Sequence, residues 1–304
     1  MTGGAKECIM GFSVMDRRST RRPLDLERPQ QTLGLGLLIL AGALAVNSVL
    51  GPLLLDVIDY PVSETMRNQT IGLDAVNLAV VAPLCAFVGW LALHRNRWAP
   101  LLALGPTTYA AYMFVQYIAG PDHTNYVRVL PLQLLAFVLG WTLAVLAWQV
   151  RPRLERFSAD RGPHAVVVGL LAAFVVVRYL PGLAGTVTET GLATELQTDL
   201  AMYWLIFLMD LGLFVPVAAA IAIGLWRGSE SAMAALTGLI GWYLLVTAAV
   251  ASMSITMVVN DDRHASSGQL ALFVALTLAM VAYAVVLARA VVSGSPSRHN
   301  GNRP

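Results

Sequence analysis

The chain has 304 residues, of which 57% are hydrophobic and only 12% are charged, and its formal net charge at pH 7 is +2. A soluble globular domain carries about 25% charged residues, so this composition excludes a water-soluble domain. The small net charge gives no indication of nucleic-acid binding. Eight long apolar stretches predict instead an all-α, polytopic transmembrane helix bundle of about eight spans, with the lipid bilayer of the cell membrane as its surroundings.

A helix needs about 20 apolar residues to cross a hydrocarbon core of about 30 Å. Spans are predicted near residues 32–55, 71–94, 98–119, 127–149, 164–183, 199–226, 232–258 and 268–292. The runs are continuous and lack the alternation typical of transmembrane strands. The polar tails, residues 1–31 and 293–304, are predicted to be disordered and cytoplasmic, on either side of one transmembrane domain at 32–292.

The distribution of basic residues predicts the orientation. Sixteen of the 20 lysine and arginine residues fall on one side of this topology, and three fall on the other. Cytoplasmic loops are enriched in these residues, so both termini are expected in the cytoplasm. The alternative is that the first apolar run is a cleaved signal peptide. That run continues to Leu55, however, which is typical of an anchor.

The second and sixth predicted spans resemble each other. In each, a polar residue (Asn77 or Asp210) stands six positions before a proline (Pro83 or Pro216). The spans before them also compare, at residues 47–51 and 178–182. The pattern predicts a parallel 4+4 repeat with kinks at the two prolines; chance similarity between low-diversity apolar segments is the alternative.

Six polar side chains lie at a similar depth in the predicted spans, roughly 21–25 Å from the cytoplasmic boundary at 1.5 Å per residue. They are Asn47, Asn77, Tyr112, Gln133, Arg178 and Asp210. Polar groups within spans usually face the bundle interior and indicate function. We therefore expect a ligand-binding cavity that opens outward, with an outer rim of Asp56, Asp74 and Asp199. The alternative is a structural network that only joins helices.

Arg178 cannot lose its proton under ordinary conditions, so inside a membrane it needs an anion or a route to the interface. Asp210 is the deepest carboxylate, and a direct Arg178–Asp210 ion pair is the simplest expectation. Asp199 and Asp74 are rival partners for the arginine.

Two patterns resemble those of an uncharacterised family of bacterial polytopic integral membrane proteins with about eight spans. One is Tyr109-x2-Tyr112-x4-Tyr117-x2-Gly120-x4-Asn125, whose buried hydroxyls need partners. The other runs from Asp210 to Pro216 and is followed by Leu225-Trp226-Arg227. The resemblance covers residues 100–226, and the chain departs from the family pattern after Asn125. It implies the architecture and no catalytic residue, because the family has no established activity.

The sequence lacks the HExxH, Walker A and GxGxxG motifs, and no cofactor or metal is predicted. Two outer loops, with Asp122-His123 and with Asp261, Asp262 and His264, could form a mixed metal site, but solvated loops are expected instead.

The leading hypothesis is a non-enzymatic protein that binds, senses or transports a small molecule or ion. One alternative is an accessory subunit of a membrane complex, with a membrane-protein partner or as a homo-oligomer. Another is a lipid- or quinone-acting enzyme with Asp210 or Asp199 as general base.

Overall fold

A computed structural model describes residues 27–121, 128–152, 154, 160–187 and 199–293. These residues form eight helices and contain no strand, which confirms the predicted all-α bundle. The helices are α1 Glu27–Leu50, α2 Glu64–Leu93, α3 Ala99–Ala119, α4 Leu130–Val150, α5 Arg161–Val187, α6 Leu200–Trp226, α7 Glu230–Val259 and α8 Ser267–Ser293. Because α1 begins at Glu27, the last residues of the predicted N-terminal tail are helical. Residues 1–26 and 294–304 of the two predicted tails lie outside the described residues.

All the helices except α3 are long and apolar enough to cross a membrane, which makes the chain a membrane protein. Helix α3 has 21 residues, about 32 Å at 1.5 Å per residue. It contains Pro106, three tyrosines and Gln116, and 16 of its residues are buried. It packs against α2, α4 and α7. Since protein surrounds it on most sides, α3 can carry polar residues that a lipid-facing helix could not.

Side-chain contacts gather the arginine-rich connections at one end of the bundle. Gln30 of α1 donates to the carbonyl of Asn96, between α2 and α3, at 2.8 Å. Arg161, at the start of α5, donates to the carbonyl of Gly228, between α6 and α7. This is the grouping that the predicted topology requires. The opposite end, with the connections after α1, α3, α5 and α7, is called the predicted outer end below.

Contacts at the predicted outer end join distant parts of the chain. Asp199, just before α6, accepts hydrogen bonds from the backbone N–H and the hydroxyl of Ser63, just before α2. Asp262, after α7, accepts from Thr65 at 3.1 Å and from Asn68 at 2.9 Å. These carboxylates therefore hold the start of α2 against the later helices.

Each predicted proline kink takes the form of a π-helical turn. The turns Asn77–Val81 in α2 and Asp210–Phe214 in α6 each begin at the polar residue. Each is followed by an α-helical segment whose second residue is Pro83 or Pro216. Proline has no backbone N–H and its ring clashes with the preceding turn, and the wider π turn accommodates both effects.

The contacts support the predicted repeat. α1 packs on α2 as α5 packs on α6, α3 packs on α4 as α7 packs on α8, and α3–α7 contacts join the two halves. The neighbours of two glycines match only in part: a Cβ on Gly51 would first meet the Asp74 carboxyl group, whereas a Cβ on Gly182 would first meet the Tyr203 hydroxyl and then the Phe207 ring. Gly51 and Gly182 correspond in the sequence alignment of the halves, as do Asp74 and Phe207. The helix pairings therefore agree with the two-fold pattern of the sequence.

Candidate functional site

The six residues predicted to form one site belong to two separate groups. Tyr112, Arg178 and Asp210 line a cavity in the half of the bundle at the predicted outer end. The three amide side chains instead belong to a buried network among the first four helices. Depth along the helix axis was the same for both groups, but it does not tell which way a side chain points around the axis.

The cavity has a volume of about 130 Å³ and reaches Val62 and Pro121 in the outer connections. Its apolar wall includes four methionines: Met66, Met113, Met202 and Met253. Its polar lining comprises Tyr60, Gln69, Thr70, Tyr112, Gln116, Tyr117, Arg178, Tyr179, Asp210 and Gln269. Apolar walls with a few convergent polar groups are typical of small-molecule sites.

Two tyrosines hold the Asp210 carboxyl group. Tyr112 of α3 donates to its Oδ1 at 2.7 Å, and Tyr179 of α5 donates to its Oδ2. The Tyr112 ring meets Phe214 and Trp242 edge-on, with centroids 5.1 and 5.3 Å away. The rings fix the direction of the hydroxyl, so the carboxyl group is fixed at the cavity wall.

The predicted Arg178–Asp210 ion pair is not formed. Among the described residues, no nitrogen of Arg178 lies within 4 Å of a carboxylate oxygen. The guanidinium lies 5.0 Å from the Phe273 ring centroid and 5.7 Å from that of Tyr179. It is still close enough for a Coulombic interaction with Asp210. Arg178 is exposed and packs on aromatic faces. Its guanidinium and the Asp210 carboxyl group line one cavity without direct contact.

The amide network is fully buried. Gln133 of α4 donates through Nε2 to Asn47 Oδ1 at 3.2 Å and to the Tyr60 hydroxyl at 3.1 Å. Asn77 accepts from the Tyr109 hydroxyl at 3.1 Å. Asn47, Asn77 and Gln133 are each at most 1% exposed. These three residues therefore do not line the cavity as the sequence predicted.

Of the three predicted rim residues, Asp74 is buried and the other two lie away from the cavity wall. The Asp74 side chain is 0% exposed, and its Oδ1 accepts from Ser48 at 3.1 Å and from Tyr117 at 2.9 Å. Asp56 forms an exposed ion pair with Arg67 at 2.7 Å. Asp199 binds Ser63, as described above. Asp74 was misplaced because the sequence shows its depth but not its neighbours.

The three tyrosines of α3 have the hydroxyl partners that their burial requires. Tyr109, Tyr112 and Tyr117 donate to Asn77, Asp210 and Asp74, respectively. Helix α3 thus connects the cavity with the buried network. Sequence reasoning identified this tyrosine pattern, but it missed Ser48, Tyr60 and Tyr179. Adjacency to Arg178 was the one available signal for Tyr179.

Within the part of the chain that the structure describes, no group of three or more His, Cys, Asp and Glu side chains could hold a metal ion. Asp122 and His123, considered above for a metal site, lie outside the described residues.

Fold and composition together define a helical membrane protein. Comparison of the chain with protein-family models, curated proteins and solved structures finds no match. The resemblance to an uncharacterised membrane family therefore stays a prediction.

Proposed function

We propose that this membrane protein binds a small zwitterionic solute, an amino acid or a compound of similar charge and size, and transports or senses it. The observation that carries the proposal is the unpaired placement of Arg178 and Asp210 on one cavity wall. Charges within a membrane protein need compensation, and these two do not contact each other. A solute with one anionic and one cationic group supplies a partner for each.

The carboxyl group of Asp210 is suited to bind a cationic group. Two tyrosine hydroxyls hold it in place and occupy one acceptor site on each oxygen. A carboxylate offers about four acceptor sites, so sites remain for an ammonium group of the solute. Arg178 is suited to bind a carboxylate, because its guanidinium presents parallel N–H donors.

The cavity volume limits the size of the solute. The volume of about 130 Å³ is close to that of an engineered cavity of roughly 150 Å³ that holds benzene. A few heavy atoms therefore fit, whereas a phospholipid or a quinone with its tail does not. This cavity is therefore suited to a small solute rather than to a whole lipid or quinone.

The backbone around Asp210 supports a functional role. Asp210 begins the π-helical turn of α6, and such turns occur frequently at functional sites. The matched turn in α2 begins at Asn77, which lies outside the cavity. Of the two matched π-helical turns, therefore, only the one in the second half of the chain places an ionisable group at the cavity.

A thermal-stability screen of the purified protein tests the proposal. The panel contains amino acids, simple carboxylates, simple amines, inorganic ions, sugars and lipids, applied to the wild type and to Asp210→Asn, Arg178→Gln and Asp56→Asn. At a ligand concentration of 100 Kd the stabilisation is about 2.7 kcal/mol. We expect amino acids to stabilise the wild type and Asp56→Asn, whose aspartate lies outside the cavity, and not the two charge variants. Equal stabilisation of all four proteins, or none by any zwitterion, contradicts the proposal.

A further inference from the structure

We infer that Asp74 is a proton-binding site, and that Tyr117 connects it to the cavity. The inference stands apart from the proposed solute, because it depends only on the surroundings of one buried carboxyl group. It assigns to Asp74 a bound proton in the folded protein and a route by which that proton exchanges.

Asp74 is buried without a countercharge among the described residues. The Asp74 side chain is 0% exposed, and its hydrogen-bond donors are the neutral hydroxyls of Ser48 and Tyr117. No lysine, arginine or histidine among the described residues pairs with it. The titratable groups that face it are tyrosines, Tyr117 directly and Tyr109 and Tyr60 behind it. Burying a bare carboxylate without a partner of opposite charge is unfavourable, and a proton removes the charge.

Asp210 shows the contrast. It lines the cavity and has Arg178 within Coulombic range. A countercharge and access to the cavity both lower the cost of its ionised form. Asp74 has neither, so these two carboxyl groups are suited to different tasks.

The two oxygens of Asp74 also differ from each other. Oδ1 accepts both hydroxyl hydrogen bonds, whereas Oδ2 has no partner among the described residues and lies against Gly51. Two buried atoms of the amide network, Asn47 Nδ2 and Gln133 Oε1, also have no described partner. A proton on Oδ2 makes the group a neutral acid, with Oδ1 as its carbonyl oxygen. A lone proton needs no shell of several oxygens, which a metal cation at this place would.

Tyr117 provides the connection to the cavity. Its hydroxyl donates to Asp74 Oδ1, and the same residue lines the cavity. Its ring stacks on Tyr60 with centroids 5.5 Å apart, and Tyr60 also lines the cavity. Tyr117 is thus the residue that joins the cavity lining to the buried acid. In this route the Tyr117 hydroxyl receives a proton from a hydronium ion and passes its own proton to Oδ1 of the Asp74 carboxylate. Rotation of the carboxyl group then places that proton on Oδ2, and no net charge remains on the tyrosine.

Infrared spectroscopy of the purified protein near neutral pH tests the inference. A protonated carboxylic acid has a C=O stretching band that a carboxylate lacks. We expect the wild-type spectrum to contain an acid band that Asp74→Asn lacks and that the matched control Asp56→Asn keeps. Asparagine resembles a neutral acid in shape and charge, so this variant is expected to fold.

Two further variants identify the band and the route. Ser48→Ala removes one hydrogen bond to Oδ1, so the band is expected to persist at higher frequency. Tyr117→Phe removes the connecting hydroxyl, so the band is expected to persist. After transfer to heavy water the band shifts as the acid proton exchanges for deuterium, and the rate of this exchange is expected to fall at least tenfold. A wild-type spectrum with no acid band assignable to Asp74, or one that loses the band when Na⁺ is added, overturns the inference. An unchanged exchange rate in Tyr117→Phe overturns the assigned route.

Discussion

Gly72 lies at a close approach of α2 and α7, and replacing it with alanine should loosen the contact that supports the site. A Cβ built on Gly72 would lie 2.6 Å from the Cα and N of Met253 and from the carbonyl oxygen of Ser252. Ordinary contact begins at 3.4 Å, so the two helices would have to separate by about 0.8 Å. The obstructing atoms are all backbone atoms and cannot rotate away.

The expected cost follows from that geometry. Overpacking a close contact typically costs 1–3 kcal/mol, and the backbone obstruction places Gly72→Ala near the upper value, about 3 kcal/mol. Gly42→Ala in α1 is the matched control, since nothing lies within 4 Å of its Cβ position. That change should be neutral or should stabilise by up to about 1 kcal/mol, because alanine favours helix more than glycine does.

The free energy of unfolding of both variants can be measured by denaturant titration in detergent micelles. Gly72→Ala should also weaken any stabilisation by solute, because Asp74, Asn77 and the cavity residue Leu73 share its helix. A Gly72→Ala protein as stable as Gly42→Ala would refute the close α2–α7 approach on which this account depends.

Two further predictions concern the predicted outer end. Burial alone would raise the pKa of Asp262, but hydrogen bonds from Asn68, Thr65 and a backbone N–H outweigh burial and hold its pKa below the ordinary value. Its stabilising contribution is therefore complete above about pH 4 and is lost as the pH falls through the lower folded-state pKa. On acidification the melting temperature of the wild type should fall more steeply than that of Asp262→Asn, and parallel curves would contradict this. The Asp56–Arg67 pair is exposed, with side-chain exposures of 54% and 43%. A double-mutant cycle should give a coupling energy of less than about 1 kcal/mol, and a much larger value would show that the pair is buried in a larger assembly.

The helices could be predicted from the sequence because hydropathy over about 20 residues is a local property. Even α3 was identified, although its tyrosines and Pro106 lower its apolar character. The prolines marked where α2 and α6 depart from regular helix. The form of the departure, a π turn starting at Asn77 or Asp210, depends on how the neighbouring turns pack, and hydropathy does not report it.

The site could be predicted only in part. Arg178 and Asp210 were singled out because charges in apolar runs are conspicuous, and both line the cavity. The ion pair predicted between them, however, is not formed in the structure. Both oxygens of Asp210 bind tyrosine hydroxyls, and one of these tyrosines comes from a helix distant in sequence. Asp74 was placed on the rim because a single sequence gives depth and not the direction of a side chain around its helix. Positions around the axis follow from packing of the whole bundle.

The most direct test of the proposed function compares one amino acid with the matching carboxylic acid that lacks its amino group. Isothermal titration would measure the affinity of both compounds for the wild type and for Asp210→Asn, with the amino acid chosen by its stabilising effect. Hydrogen bonds to charged groups contribute about 1.5–3 kcal/mol, so the wild type should prefer the amino acid about 10- to 100-fold. In Asp210→Asn the preference should disappear, while Arg178 still binds the shared carboxylate. An undiminished preference for the amino acid in Asp210→Asn would contradict the assignment of the ammonium site to Asp210.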